Sequence, residues 1–300
     1  MSTEQINERF SDLETWSSLD LVKAFHEDQL AAVAAVGPAL PAIAEAADAA
    51  AARLADTGRL IYVGAGTSGR IGVQDGVELT PTFNWPQERL LFILAGGEDA
   101  VLQSVEGAED AADDGQWNVL KAGVNERDVV IGLAASGATP FTVAAVKYAA
   151  LLGAMTIGVA NNRDAPLLTA SAHPILIETG AEAIAGSTRM KAGTAQKVFC
   201  NLFSTLVMVR LGRVYRGLMV DMRASNEKLR CRATQMVARL TDCDPAQAEA
   251  AVDQASGEVK VAVMIASGFA LTEAQDALAQ HGGDLHAALA HGAVRLEVAS

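Results

Sequence analysis

The stretch Leu60-Ile61-Tyr62-Val63-Gly64-Ala65-Gly66-Thr67-Ser68-Gly69-Arg70 decides the fold. Four apolar residues of strand type run into glycines and hydroxyl residues, and helix-compatible sequence follows. α/β proteins hold a phosphate with this order of elements. The glycines let backbone N–H groups approach the ligand, and the following helix N-terminus favours negative charge. The spacing Gly64-x-Gly66-x-x-Gly69 also satisfies a dinucleotide fingerprint. A dinucleotide loop, however, carries an acidic ribose ligand about 20 residues on, at the end of the next strand. Here the next strand-like run, Leu90 to Leu94, ends in Ala95-Gly96-Gly97, and Glu98 and Asp99 come too late. The Thr67-Ser68 pair points to a phosphomonoester instead.

A second loop supports that reading. Asp128 to Leu133 reads as a buried parallel strand, followed by Ala134-Ala135-Ser136-Gly137-Ala138-Thr139-Pro140. Pro140 suits a first helical turn, and Thr139 is a natural N-cap before the run Phe141 to Leu152. Alone, Ser136 and Thr139 could merely turn and cap the chain. Two strand-end loops of the same hydroxyl-and-glycine kind fit the place where open α/β sheets bind ligands.

Composition narrows the function classes. The chain has 300 residues, half of them hydrophobic, enough for one large core or two modest domains. A formal charge of −13 argues against nucleic acid as a partner but leaves room for a phosphorylated metabolite. Cys200, Cys231 and Cys243 are too few and too scattered for a disulfide framework or a zinc site. The polar, acidic start Met1-Ser2-Thr3-Glu4-Gln5 is unlike a signal peptide. The apolar stretch Ala31 to Ala55 is interrupted by Gly37, Pro38, Pro41, Glu45 and Asp48, unlike a membrane span. The expectation is a cytoplasmic protein with no membrane partner.

Three segments are expected along the chain: an N-terminal arm with two Ala/Leu-rich helices over 1–58, a central domain over 59–240, and a helical bundle over 244–300. Between Arg59 and Ile177 strand and helix signals alternate, the pattern of a parallel sheet covered on both faces. Leu60–Val63, Leu90–Leu94, Val129–Leu133, Met155–Val159 and Ile175–Ile177 are its predicted strands. Helices are predicted from Met190 to Leu211 and from Ala224 to Leu240. Asp244-Pro245 then opens the bundle as a cap with proline at the first helical position, and glycines at 257, 268, 282 and 283 break it.

None of the five histidines, His26, His173, His281, His286 and His291, stands at metal-ligand spacing, and none is given a role. Carboxylates near the loops are better candidates. Glu78 lies nine residues beyond Gly69, in Asp75-Gly76-Val77-Glu78-Leu79-Thr80-Pro81. Glu106, Glu109 and Asp110 are predicted on the helix after the second strand, where a spacing of three puts Glu106 and Glu109 on one face. Among 36 acids, any single one is by default a solvated surface group.

Four strings carry a resemblance that covers nearly the whole chain: Gly64 to Arg70, Val105-Glu106-Gly107-Ala108-Glu109-Asp110, Ala135 to Pro140, and above all Gly186-Ser187-Thr188-Arg189-Met190-Lys191-Ala192-Gly193-Thr194-Ala195-Gln196-Lys197. They resemble the N-acetylmuramic acid 6-phosphate etherase family of sugar isomerase (SIS) domain proteins, related to the glucokinase regulatory protein. The resemblance implies an α/β, SIS-type parallel sheet sandwiched by helices, with a small C-terminal bundle similar to ubiquitin-associated modules. It implies a carbon–oxygen lyase that frees D-lactate from N-acetylmuramic acid 6-phosphate in peptidoglycan recycling, without metal or organic cofactor. It implies Glu78 as acid, Glu109 as base, and Thr67, Ser68, Ser136 and Thr139 as phosphate ligands. It also implies a homodimer, with the helix from Met190 near the site or the interface.

One departure stands out. Members of the family often read Asp-Ala-Ser-Glu-Cys-Pro-Pro-Thr where this chain has Asp75-Gly76-Val77-Glu78-Leu79-Thr80-Pro81-Thr82. The acid is kept and its small hydroxyl and thiol neighbours are not. Apolar Val77 and Leu79 are expected to bury Glu78 in part and so keep it neutral. The residues themselves leave two other functions open. An aldose–ketose isomerase would share the phosphate loops and the C2 proton abstraction. A non-catalytic sugar-phosphate-binding regulator would bind without turnover.

Overall fold

Five short apolar runs pair into one parallel sheet in the computed structural model, which describes residues 1–224 and 226–290. They are β1 (Leu60–Gly64), β2 (Leu90–Leu94), β3 (Val129–Leu133), β4 (Met155–Ala160) and β5 (His173–Leu176), in the order β2-β1-β3-β4-β5. Every residue of β1, β3 and β4 is buried, as expected for strands covered on both faces. The last strand starts two residues earlier than its apolar run, because pairing with β4 begins at His173 opposite Ile157.

Helices α3 (Gly66–Phe83), α4 (Ala112–Lys121), α5 (Pro140–Leu151) and α6 (Pro166–Ala170) fill the crossovers, while α1 (Ser18–Ala34) and α2 (Leu40–Leu54) precede the sheet and α7 (Lys191–Arg210) follows it. Side chains alternate between the faces of a strand. Ile61 and Val63 join Val119 of α4 and Phe141, Ala145 and Val146 of α5 in one apolar cluster. Tyr62 points the other way, onto α3, where a Cβ on Gly72 would stand 3.1 Å from its Cβ. The stretch from Ser18 to Leu54 is long and apolar enough to cross a membrane. A turn at Gly37–Ala39 breaks it into α1 and α2, and α2 buries Ile43, Ala46, Ala47, Ala50 and Leu54. The N-terminal arm folds into three short 3-10 turns and buries Thr3 and Phe10.

The chain forms two compact units. One comprises Met1–Val77 and Gln87–Val207; the other comprises Glu78–Pro86 and the chain from Met208 onward. In the second unit a hairpin of β6 (Val214–Tyr215) and β7 (Leu218–Met219) precedes α8 (Glu227–Thr241), α9 (Pro245–Gln254), α10 (Val259–Ala266) and α11 (Leu271–Gln280). Residues 285–290 are also helical, while the end of the expected bundle, with His291, lies outside the described residues. Asp244 caps α9 through the backbone N–H of Gln247, with Pro245 at the first helical position. Ala233, Met236 and Val237 of α8 are buried in the same apolar cluster as Val252, Val259 and Met264. The sequence reading grouped that helix with the central domain, since its narrow apolar stripe does not say which surface covers it. Arg213 ties this unit together: it donates to the carbonyls of Phe83 (2.7 Å) and Asn84 (2.9 Å), pairs with Asp221 (2.6 Å) and lies over the Trp85 ring.

One ion pair organises the lower edge of the sheet. Arg59, just before β1, donates from Nε to Asp128 Oδ1 (3.0 Å) and from a terminal nitrogen to Oδ2 (2.6 Å). Its remaining donors reach the carbonyls of Ala122 and Gly123. Asp128 also accepts the backbone N–H groups of Arg59 and Asn125, and its own carbonyl accepts from Met155. Burial pushes the Asp128 carboxyl up, but the hydrogen bonds from Arg59 and Asn125 outweigh it and hold the group below its usual 3.8. The unfolded chain therefore takes up this proton first as pH falls. The stabilisation is complete above the unfolded value and is lost as pH drops through the folded one. Removing one partner of a buried pair leaves the other uncompensated. Asp128→Ala should cost about 3 kcal/mol in urea unfolding at pH 7. The gap between variant and wild type should shrink below pH 4.

Candidate phosphate-binding site

Parallel pairing sets Gly64, the last residue of β1, opposite Leu133, the last residue of β3. The two following loops therefore leave the sheet side by side, and α3 and α5 start there. A Cβ on Gly64 would lie 2.8 Å from the backbone nitrogen of Gly69, so only glycine lets the first turn of α3 sit this close to the strand end. Gly137 in the second loop has φ +65°, and a Cβ there would meet Ala165 Cβ at 2.4 Å. Both loops are thus fixed by backbone approach that a larger residue would prevent.

Between them lies a cavity of ≈ 390 Å³ lined by Thr67, Ser68, Ser136 and Thr139, with Glu109 and Asp110 at its side. Ser68 is buried in the first turn of α3, and Thr67, Ser136 and Thr139 are half-buried. Ser136 Oγ accepts from the backbone N–H of Ala138 (3.1 Å), which shapes its loop. Thr139 stands at the N-cap of α5, but its hydroxyl caps nothing. No Lys or Arg lines this cavity among the described residues. Attraction for an anion comes from the unpaired N–H groups and positive ends of α3 and α5, together with the hydroxyls.

The acids are arranged differently from the sequence expectation. Glu106, Glu109 and Asp110 do not share one helix. Gly107 adopts φ +71° and breaks the chain there, a single 3-10 turn holds Ala108–Asp110, and α4 starts only at Ala112. Glu109 lines the first cavity and also a second one of ≈ 350 Å³, which Glu106 and Arg70 border. Arg70 donates to the carbonyls of Ala100, Val101 and Gln103, holding that second rim in place. Glu78 lines neither cavity. Glu78 and Val77 both face solvent while Leu79 is buried, so its apolar neighbours do not bury Glu78 as expected. They lie on different sides of the helix, which a linear string does not reveal.

The two lysines of the Gly186–Lys197 string are occupied internally, while Arg189 is exposed. Lys191 is buried against Asp28 (3.8 Å), and Lys197 approaches Asp75 (3.9 Å). Gly186 and Thr188 of the string do line the first cavity. The loop that carries them is held by Glu182, a fully buried carboxylate that accepts the backbone N–H groups of Lys191 (2.8 Å) and Ala192 (3.0 Å) and so caps α7. Below the site, Tyr62 donates to buried Asp75 (2.8 Å). Burial raises the Asp75 carboxyl, a rise opposed by hydrogen bonds from Tyr62 and Ser204 and by Lys197. The same burial pushes Cys200 and Tyr62 up, which keeps that thiol unreactive. No group of His, Cys, Asp and Glu among the described residues could hold a metal ion. Nothing in the local sequence marks Glu4, Gly186, Thr188 or Glu182 individually. Only long-range packing brings them here, although the specificity of the Gly186 string was a signal.

Comparison with known proteins places the chain among relatives. Residues 42–150 match the glucokinase regulatory protein N-terminal SIS domain, and residues 106–206 match the SIS domain. The N-acetylmuramic acid 6-phosphate etherase of Deinococcus radiodurans is 47% identical over 97% of this chain and 95% of its own length. Those of Streptomyces coelicolor (44% identical, 97% of this chain, 94% of its own) and Halalkalibacterium halodurans (42%, 96% and 97%) are similar to the same extent. Among solved structures, a phosphoheptose isomerase from Francisella tularensis is 20% identical with a TM-score of 0.46, covering 63% of this chain and all of its own.

Proposed function

The chain belongs to the N-acetylmuramic acid 6-phosphate etherase family, and on that premise we propose that it cleaves the D-lactyl ether of N-acetylmuramic acid 6-phosphate, giving N-acetylglucosamine 6-phosphate and D-lactate. The observation that carries the reading is the convergence of two helix N-termini and four hydroxyls on one cavity that also holds Glu109. The phosphate sits between the loops at Ser68 and Ser136, with Thr67 and Thr139 beside it. In the open-chain sugar the C1 aldehyde acidifies the C2 proton, which Glu109 removes. The ether oxygen leaves C3 as lactate while Glu78 protonates it, and water then adds to C3 of the unsaturated aldehyde. The enzyme works in the cytoplasm on sugars released during peptidoglycan recycling.

The chemistry needs one carboxyl ionised and the other neutral near pH 7, hence two different environments. In a single chain both Glu78 and Glu109 face solvent. A second copy of the chain, closing over them, supplies the missing shielding in a homodimer. A surface suited to it exists on α1, where Leu19, Val22, Leu30 and Val33 are all exposed. At 100° per residue they fall within roughly an 80° arc, an unpartnered apolar stripe.

D-lactate release on incubation with N-acetylmuramic acid 6-phosphate tests the proposal, and an isomerase or a sensor would give none. Three further outcomes are expected. Ser68→Ala and Ser136→Ala should each raise KM about tenfold or more, the value of one charge-assisted hydrogen bond, and unphosphorylated N-acetylmuramic acid should be a very poor substrate. Glu109→Gln should abolish both lactate release and deuterium exchange at C2 in D₂O, whereas Glu78→Gln should block lactate release and still allow the exchange. Near-normal lactate release by Glu78→Gln would move the acid elsewhere. In solution the active species should have twice the 31.2 kDa chain mass, and Leu30→Asp should shift it toward one chain.

A further inference from the structure

The N-terminal arm reaches the phosphate cavity and brings a carboxylate with it. Thr3, fully buried, donates its backbone N–H to Asn162 Oδ1 (3.3 Å), and Asn162 Nδ2 donates to Thr3 Oγ1 (2.9 Å). The same Nδ2 donates to the carbonyl of Ala135 (2.9 Å), and Ser2 Oγ donates to Asn162 Oδ1 (3.0 Å). Asn162, itself buried, thus latches the start of the chain onto the loop that presents Ser136. The next residue, Glu4, is exposed and lines the cavity. Opposite it, Gly186 has φ +74°, and a Cβ there would stand 3.1 Å from Glu4 Oε2. The backbone at Gly186 leaves room for the carboxylate where any side chain would crowd it.

A carboxylate in a cavity for a phosphate dianion is repelled by that phosphate and has no donor to offer it. What it can do is accept hydrogen bonds. An amino-sugar phosphate brings donors of its own in its hydroxyls and its amide N–H. We propose that Glu4 recognises the sugar portion of the substrate, accepting hydrogen bonds from its hydroxyl or acetamido donors, with the Thr3–Asn162 latch fixing the position of the carboxylate. The inference rests on the reading of the cavity as an amino-sugar phosphate site. It adds a specificity-determining residue from a part of the chain far from both phosphate loops in sequence.

Opposed effects on two ligands test it. Glu4→Ala should weaken N-acetylglucosamine 6-phosphate by about tenfold or more in titration calorimetry, since a hydrogen bond to a charged group is lost. Inorganic phosphate should bind the variant as well as wild type or more tightly, because a repelling charge has gone. In turnover the same variant should raise the KM for N-acetylmuramic acid 6-phosphate. Unchanged affinity for the sugar phosphate would overturn the proposal. So would parallel weakening of both ligands, the mark of a purely structural role. Wild-type protein that binds the sugar phosphate without releasing lactate would sink the etherase reading and leave the Glu4 comparison intact.

Discussion

Parallel pairing of β1 with β3 is the constraint on which the site depends, because it ends both strands at the same height with Gly64 opposite Leu133. Each strand must then return through a crossover helix, and α3 and α5 begin within a few residues of the strand ends. Their N-terminal N–H groups have no partners inside the helices and point where the next ligand atom would stand. The glycines follow from the same geometry: Gly69 against Gly64, and Gly137 against Ala165, occupy spaces where a Cβ has no room. Below this edge, the Arg59–Asp128 pair and the Asp128–Met155 backbone bond hold β1, β3 and β4 in step.

A cavity with acids around it, helix N-termini at its edge and no lysine or arginine on its wall among the described residues has a chemical logic as a candidate anion site. Helix termini and hydroxyls bind a phosphate by direction rather than by net charge, and so they tolerate Glu109 nearby. The lysines of the Gly186–Lys197 string are instead spent on Asp28 and Asp75, fixing α7 to its neighbours. Glu182 does the same for the start of that helix. Charged groups here serve mainly to place backbone, and the placed backbone makes the site.

Much of this was legible in the chain because it is local. The strand-glycine-hydroxyl-helix order at Leu60–Arg70, the proline and threonine before α5, and the cap at Asp244-Pro245 each follow from interactions within a few residues. Other features were illegible for the same reason. The break at Gly107, which separates Glu106 from the helix carrying Trp117, needed a left-handed glycine that looks like any other in a row of letters. Glu78 is exposed while Leu79 beside it is buried, because neighbours in sequence are not neighbours on a helix. The role of α8 turned on its partner, and an amphipathic stripe names none.

The sequence by itself determined the class of fold, the two hydroxyl-and-glycine loops at the strand ends and the membership of the family, since periodicity, turn chemistry and long specific strings are all properties of short segments. Only the tertiary structure decided that Glu4 stands in the same cavity as Ser136, that Lys191 and Lys197 are turned inward, and that Glu78 is left in solvent. Those outcomes are fixed by contacts between residues far apart in the chain, such as Thr3 with Asn162, 159 positions on. The free energy of such contacts depends on burial and geometry that no local pattern encodes.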